Sequence, residues 1–185
     1  MRKEILKKLH LWGTYRRITL FRVNVLLAGT KEKSFEKKRR LLNRLDGIVI
    51  GEGTRVVGPL QVLGTLKVGK NCWCGKNLLV NGNGTVTIGD NCDIGPEVTF
   101  QTGGHVLGSA ERRAGAGLTF QQTVGNGCWI GGRSTFLNDV TVGDGSVIAG
   151  CACVIKDIPS NILAGGVPAR KLRDLDNEYT DIAEK

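Results

Sequence analysis

The amino-acid sequence predicts an all-β fold, a parallel β-helix built from short strands and tight corners. Glycine accounts for 27 of the 185 residues, and aromatic residues for only 5%. Apolar residues recur every six positions, each usually followed by Gly or Ala. A helical period of 3.6 cannot give this spacing, whereas a short strand with one inward residue and a corner for a small residue repeats every six. The clearest apolar positions are Ile88, Ile94, Phe100, Val124, Ile130, Phe136, Val142, Ile148 and Val154.

Three such sides make one triangular coil, and each coil buries its apolar residues against its neighbours, as in any solenoid. The fourth residue after each apolar position is often small, which predicts a second inward position near the corner. These small residues are Cys72, Cys92, Val98, Cys128, Ser134, Ser146 and Ala152.

Positive charge is concentrated at the N-terminus. Residues 1–46 contain fourteen Lys or Arg against four acidic residues, which leaves twelve against thirteen for the rest of the chain. The net charge of +9 therefore belongs to a basic N-terminal segment and not to the repeats.

Two helices are expected in this segment. Ile5, Leu9 and Trp12 have helical spacing, with lysines between them, which predicts a basic amphipathic helix. A second helix is expected to begin with Ser34 as its N-cap and to extend to Leu45. Residues 18–27 are compatible with strand or helix.

Two roles are open for residues 1–46. They could form a helical cap that shields the open end of the solenoid, which repeat proteins require. They could instead attach the protein to an anionic membrane surface, where each clustered Lys or Arg adds about 1 kcal/mol. Nucleic acid is not expected as a partner, because the segment has no reading motif or set of stacking aromatics.

The β-helix domain is expected at residues 47–166. The apolar register begins near Ile50, and the turn residues 81–84 fit a corner that bulges from the prism. Phe100 and Val124 are separated by a multiple of six, so the coil is expected to resume in phase after an extruded, mobile polar loop at residues 106–123. Residues 167–185 are expected to be a polar tail that includes a short helix.

The cysteines indicate a reducing compartment. All six, Cys72, Cys74, Cys92, Cys128, Cys151 and Cys153, lie within the repeats and are interpreted as small core residues. The two Cys-x-Cys pairs do not favour zinc, because alternate residues of a strand point to opposite faces and no histidine lies near either pair. We therefore expect no metal.

No apolar run is long enough to cross a bilayer. Arginines also interrupt any signal-peptide core between residues 16 and 22. A cytoplasmic protein is expected, with attachment at the inner face of the membrane left open.

Histidine is rare, and only His10 and His105 are present. Gly103 and Gly104 precede His105, so the backbone can turn there and leave room for a ligand. A side chain at the base of a loop on a rigid scaffold is well placed for catalysis.

Residues 50–173 resemble the hexapeptide-repeat acyltransferases, specifically the branch of galactoside, maltose and nodulation-factor O-acetyltransferases. The matching segments are VTIGDN at 86–91, GH at 104–105, VGNGCWIG at 124–131, VGD at 142–144, KDIP at 156–159 and GVPAR at 166–170. The resemblance implies a left-handed β-helix, a homotrimer, and acetyl-CoA bound between neighbouring subunits.

By the same resemblance His105 is the general base that takes a proton from a sugar hydroxyl in a direct transfer. A backbone amide at the Gly131–Gly132 corner of the next subunit would stabilise the oxyanion. Asn81 corresponds to the acceptor-binding asparagine if one six-residue side is absent upstream, although it is equally well explained as a turn residue. The coenzyme-binding positions implied are Trp129, Gly132, Gly150, Ile155, Lys156, Arg170 and Arg173.

One departure from the family concerns the acceptor. The helical N-terminal module of the maltose and galactoside enzymes, with its sugar-contacting acid, is not recognisable in residues 1–46. The expected function is therefore acetyl-CoA-dependent O-acetylation of a saccharide in cell-surface polysaccharide biosynthesis, with a lipid-linked acceptor open. The alternatives are a xenobiotic (antibiotic) O-acetyltransferase and a non-catalytic β-helix scaffold.

Overall fold

The computed structural model describes residues 11–175, and most of them form a triangular prism of stacked coils. Successive strands lie on successive sides, so each coil adds one strand to each of three parallel sheets, named here faces A, B and C. Face A contains β1 (Ile48–Ile50), β4 (Thr65–Val68), β7 (Thr85–Ile88), β12 (Gln121–Val124) and β15 (Val140–Val142). Face B contains β2 (Arg55–Val56), β5 (Trp73–Cys74), β8 (Asp93–Ile94), β13 (Trp129–Ile130), β16 (Val147–Ile148), β18 (Ile162–Gly165) and the antiparallel β19 (Arg170–Asp174). Face C contains β3 (Leu60–Val62), β6 (Leu78–Asn81), β9 (Thr99–Gln101), β14 (Thr135–Phe136) and β17 (Cys153–Val154).

Both inward positions of the six-residue repeat are buried, as predicted. All nine apolar residues of the register from Ile88 to Val154 are at most 2% exposed. The seven small residues at the second position are buried to the same extent. The two serines among them are satisfied internally: the hydroxyl of Ser134 donates to the carbonyl of Gly131 at 2.7 Å, and that of Ser146 to Pro159 at 2.7 Å. The core is thus one continuous column.

An antiparallel hairpin leaves the prism between faces C and A. It consists of β10 (Gly103–Leu107) and β11 (Ala114–Thr119). The expectation of a mobile polar loop at 106–123 was therefore wrong in form, because the arm satisfies its backbone by its own strand pairing. After the hairpin, β12 returns beside β7 with Val124 opposite Ile88, so the coil resumes in phase.

The N-terminal segment covers the open end of the prism. It contains α1 (Trp12–Phe21), a π-helical turn (Arg22–Leu26) and α2 (Glu32–Leu42). The edge strand of face A is closed by Asn43, whose amide donates to the carbonyl of Ile50 at 2.9 Å and accepts from its N–H at 2.7 Å. Asn24 closes the edge of face C in the same way, through the carbonyl (2.8 Å) and N–H (3.0 Å) of Leu60.

The third face is closed by a buried lysine. The ammonium of Lys38 donates to the carbonyls of Gly29 at 2.9 Å and Val57 at 3.0 Å, just beyond β2, and lies 4.5 Å from the centre of the Phe35 ring. Each face of the prism is therefore covered by a side chain of the N-terminal segment.

The helix boundaries differ from the expectation. Residues 18–26 are helical, which decides between strand and helix for most of that stretch. The second helix begins at Glu32 with Lys31 as N-cap, so the assignment of Ser34 as N-cap was wrong. Ser34 lies inside the first turn, and its hydroxyl donates back to the carbonyl of Lys31 at 2.6 Å. Ile5, Leu9 and His10 lie outside the described residues.

The described part of the C-terminal tail contains a strand where a short helix was expected, and residues 176–185 lie outside the described residues. Arg170–Asp174 pairs antiparallel with β18 and covers the edge that face B would otherwise expose. The cysteine prediction needs one correction: four of the six are buried, but Cys151 is exposed at a corner with φ of 60° and Cys153 is half-buried. Within residues 11–175, the helices fall short of the length and apolarity needed to cross a bilayer.

Candidate active site

His105 lies on β10 at the root of the hairpin, opposite Gly117 of β11. Its Nδ1 is 2.9 Å from the carbonyl oxygen of Gly115. A carbonyl oxygen only accepts hydrogen bonds, so Nδ1 carries the proton and donates it, and the neutral ring has its lone pair on Nε2. The side chain is exposed in the protomer. Its second nitrogen therefore has the form that a general base needs.

A cleft of about 340 Å³ lies beside this imidazole. Asn81 and His105 both line it, although they are far apart in sequence, because β6 and β9 are adjacent on face C and the hairpin starts directly after β9. Opposite His105, a side chain at Gly117 would meet open space, so that glycine leaves room for a ligand. The side chains that line the cleft are those of Asn81, Asn83, Gln101, His105, Leu118 and Thr119.

Gln101 is a cleft residue that the sequence analysis did not single out. It pairs with Asn81 in the parallel register of β6 and β9, and Asn81 Nδ2 donates to its Oε1 at 2.8 Å. The two amides thus form one polar unit on the outer side of face C. The sequence contained a signal for this pair, because residues one coil apart lie side by side. With the two extra residues near position 82 counted, Gln101 lies one coil after Asn81.

The backbone at this point is fixed from inside the prism. Gln122 is 1% exposed, and its Nε2 donates to the carbonyls of Gln101 at 3.0 Å and Asn138 at 3.0 Å. Its Oε1 is buried and has no hydrogen-bond partner among the residues that the structure describes. At the hairpin root, a Cβ on Gly104 would lie 2.8 Å from the Phe120 ring, so this ring packs directly on the glycine.

The predicted coenzyme residues lie elsewhere, on face B and at the C-terminal end. Trp129 is 57% exposed on the outer side of β13, in register with Val147. The corners that contain Gly132 and Gly150 are adjacent, because the N–H of Cys151 donates to the carbonyl of Gly132 at 2.9 Å.

Two predicted cations lie together in a second cleft. Lys156 and Arg170 both line a space of about 390 Å³. Neither of them forms an ion pair within the described part of the chain, whereas Lys171 beside them pairs with Asp174 at 2.6 Å. Unpaired cations in a cleft suit an anionic ligand such as a phosphate. Ile155 precedes Lys156 and is half-buried, and Arg173 lies on β19 opposite Leu163.

These positions are not brought to His105 within one protomer. None of the predicted coenzyme residues lines the cleft that His105 and Asn81 share. The structure therefore places His105 and an amide pair at one site, and an aromatic and cationic surface at another.

Two cysteines of the core, Cys72 and Cys74, are poorly suited to nucleophilic catalysis. The hydrogen bond with Cys92 and burial raise the pKa of Cys72, and burial raises the pKa of Cys74, so both remain thiols. Within residues 11–175, no three His, Cys, Asp or Glu side chains are grouped so that they could hold a metal ion.

Comparison with known proteins identifies the repeat. The family pattern described as "Bacterial transferase hexapeptide (six repeats)" matches residues 123–156. The chain is 37% identical over 144 residues to galactoside O-acetyltransferase of Escherichia coli (strain K12), which covers 77% of this chain and 70% of that protein. It is also 36% identical over 108 residues to a putative acetyltransferase of Saccharomyces cerevisiae. This match covers 58% of this chain and 55% of the yeast protein.

Solved structures agree with this relationship. A galactoside acetyltransferase in complex with coenzyme A superposes with a TM-score of 0.75 at 32% identity, over 90% of this chain and 83% of that one. A hexapeptide-repeat acetyltransferase from Vibrio cholerae, complexed with acetyl coenzyme A, gives a TM-score of 0.77 at 26% identity, over 92% and 90% of the two chains. The fold is accordingly the left-handed β-helix, with about six turns.

Proposed function

The chain belongs to the hexapeptide-repeat transferase family, as a homologue of galactoside O-acetyltransferase, and on that premise we propose that it transfers an acetyl group from acetyl-CoA to a saccharide hydroxyl. The observation that carries the proposal is the cleft in which His105, held by Gly115, lies with the Asn81–Gln101 amide pair. Amide side chains provide both donors and acceptors, which suits the hydroxyl groups of a sugar.

In the proposed reaction His105 is the general base. Nε2 accepts the proton of the acceptor hydroxyl as its oxygen forms a bond to the thioester carbonyl carbon. The hydrogen bond from Nδ1 to Gly115 keeps the ring oriented and supports the positive charge that develops on it. The proton then passes to the sulfur that leaves. Such a base contributes a rate factor of about 10² to 10⁴.

The oxyanion requires a donor from the Gly131–Gly132 corner of a neighbouring subunit. The Gly131 amide already donates to the carbonyl of Ile148 at 2.7 Å. The amide of Gly132 is therefore the donor we propose, and such a donor is worth about 3 to 4 kcal/mol.

Coenzyme binding is proposed for the second surface. Lys156 and Arg170 would hold phosphate groups, Arg173 would add charge, and the exposed Trp129 would form an apolar wall. Gly132, Gly150 and Ile155 would line the path toward the thioester. Because this surface does not reach His105 within one protomer, the proposal requires a neighbouring subunit to complete each site. We propose that the assembly is a homotrimer.

Peripheral contact with an anionic membrane is proposed for the N-terminal segment, which would locate the enzyme at the cytoplasmic face. The outer side of α1 and the π-helical turn exposes an apolar stripe, and residues 11–46 contain ten Lys or Arg against three acids. This combination is typical of helices that lie in the interface of a bilayer. The stripe consists of Leu11, Ile18, Phe21, Val25 and Leu26, which are 49–66% exposed.

The experiment for the transfer reaction is a screen of saccharide acceptors with an assay of thiol release from acetyl-CoA, joined to thermal unfolding with and without acetyl-CoA. An enzyme is stabilised by its co-substrate and turns over a subset of sugars. Turnover of antibiotics but of no sugar would favour the xenobiotic alternative. If acetyl-CoA does not stabilise the protein and no acceptor is turned over, the non-catalytic scaffold is the remaining alternative.

For the membrane contact, cosedimentation with anionic vesicles should be lost in Phe21→Asp and kept in Leu107→Asp, since Leu107 is 79% exposed on the hairpin. Vesicle binding that survives Phe21→Asp would remove this part of the proposal.

A further inference from the structure

A groove of about 580 Å³ lies between α1 and face C. One wall is made by α1 and the π-helical turn, where Arg16, Leu20 and Asn24 are spaced four residues apart and so lie on one helix side. The floor is the outer side of β3 and β6. Leu63 and Leu79 face outward there, beside the polar Gln61 and Asn77. Leu60, Val62 and Leu78 also border the groove, but their side chains point into the prism and are at most 3% exposed.

This groove adjoins the cleft of His105. Leu79 and Asn81 are two residues apart on β6, so both point outward from face C about 7 Å apart, the first into the groove and the second into the cleft. Leu63, directly after β3, lies beside Leu79 and Asn81, because its N–H donates to the carbonyl of Val80 at 3.0 Å. Leu63 is 56% exposed, so the apolar surface continues up to the amide pair.

The walls of the groove are fixed by hydrogen bonds. Asn24 is paired with both backbone groups of Leu60, and Arg16 donates to the carbonyls of Val62 at 2.6 Å and Asp46 at 3.1 Å. No carboxylate among residues 11–175 forms an ion pair with Arg16, so within this part of the chain the guanidinium is bound only by backbone carbonyls. A preformed, mainly apolar concavity of this size is typical of a small-molecule site.

We propose that the groove binds the hydrocarbon chain of an acceptor whose sugar lies in the cleft of His105, that is, a sugar joined to a lipid through an anionic linkage. The inference rests on the proposed transfer reaction and names its class of acceptor. A sugar held by Asn81 and Gln101 directs its aglycone along β6 over Leu79 and Leu63, and Arg16 offers its charge to a phosphate in the linkage. The same helix that walls the groove exposes Phe21 and Val25 on its other side, where a chain that leaves the groove would enter the bilayer.

The test compares methyl and octyl glycosides of galactose and glucose, below the micelle concentration, as acceptors for the full-length protein. The octyl glycoside is expected to have a kcat/KM about tenfold higher or more, mainly through KM, because methylene groups leave water. Leu63→Asp should bring the ratio of octyl to methyl kcat/KM to about one. Val49→Asp is the matched control, since Val49 is 55% exposed on β1 of face A, and it should leave the ratio unchanged.

Equal kcat/KM for the octyl and methyl acceptors, or an octyl advantage that survives Leu63→Asp, would overturn the inference while leaving the transfer reaction intact. Calorimetric binding of octyl glucoside separates the two claims further. Binding that Leu63→Asp abolishes, in a protein that acetylates no glycoside, supports the groove and rejects the proposed reaction. Absence of octyl glucoside binding rejects the groove alone.

Discussion

The rings of Phe100 and Phe136 stack inside the prism, with their centroids 4.6 Å apart and their planes 25° from parallel. Phe100 belongs to β9, just before the hairpin, and Phe136 belongs to β14, which pairs with β9 after the chain has returned. Both rings are fully buried. The core is therefore continuous across the point where the hairpin that contains His105 leaves the coil.

Phe100→Ala is expected to lower the free energy of unfolding by about 3–5 kcal/mol, because it removes a buried ring and leaves a cavity beside Phe136. The measurement is urea denaturation followed by circular dichroism. Leu107→Ala is the control, since that side chain is exposed and its loss should change the free energy by less than about 0.5 kcal/mol. Equal effects of the two substitutions would contradict a continuous core.

His105→Ala is expected to reduce kcat by a factor of about 10² to 10⁴ and to leave the affinity for acetyl-CoA nearly unchanged. The reason is that the imidazole is the proposed general base and lies outside the surface proposed for the coenzyme. Steady-state thiol release and calorimetric titration with acetyl-CoA measure the two quantities. Arg112→Ala, at the exposed tip of the same hairpin, should retain full activity. A fully active His105→Ala protein would end the catalytic assignment.

Gln101→Leu is expected to raise the KM for the acceptor by about 2- to 13-fold, which corresponds to loss of one hydrogen bond of 0.5–1.5 kcal/mol at Asn81. The KM for acetyl-CoA should not change. Gln101→Glu should restore much of the affinity, because a carboxylate still accepts from Asn81 Nδ2. Gln121→Leu, at an exposed position of β12, serves as the control. A Gln101→Leu enzyme with wild-type KM would show that the amide pair does not position the acceptor.

Lys38 should make stability depend on pH in the alkaline range. Burial lowers its pKa from 10.5 to about 8. Below pH 8 both folded and unfolded chains hold the proton, and from pH 8 to 10.5 the folded chain has lost it while the unfolded chain keeps it. The free energy of unfolding should therefore rise with pH across this window, by at most about 1.4 kcal/mol per pH unit.

The measurement is denaturant unfolding of the wild type and of Lys38→Met at pH 7.5, 9 and 10. Other groups titrate in both proteins, so the difference between them isolates Lys38. A difference that stays flat or falls with pH would show that the two carbonyl partners hold the charged form.

The prism could be predicted because its buried positions recur every six residues in the sequence. Ile88, Ile130 and Val142 show this period by their spacing alone. The tail could not be predicted. Arg170–Asp174 reads as a polar segment, and only the exposed edge of β18 makes it a strand. The N-cap was assigned to Ser34 for a similar reason, since a serine in the first turn of a helix and a serine at the N-cap look alike in sequence.

The site was accessible only in part. His105 was found through its glycines and through resemblance, but the role of Gly115 depends on the hairpin register, which the loop sequence does not disclose. Gln101 was missed because its place in the cleft depends on its pairing with Asn81, which lies one coil earlier. Cys151 illustrates the opposite error: its place in the repeat suggested the core, whereas it occupies a corner and points outward.

Asn24 and Asn43 have a consequence for how this molecule can assemble. A parallel sheet with a bare first strand invites another chain to extend it, and repetition of that step gives a filament. Here the hydrogen-bonding groups that an incoming strand would need at Leu60 and Ile50 are already taken by carboxamides. The number of coils is thereby fixed at that end, and the protein can crowd beside copies of itself without polymerising along its axis.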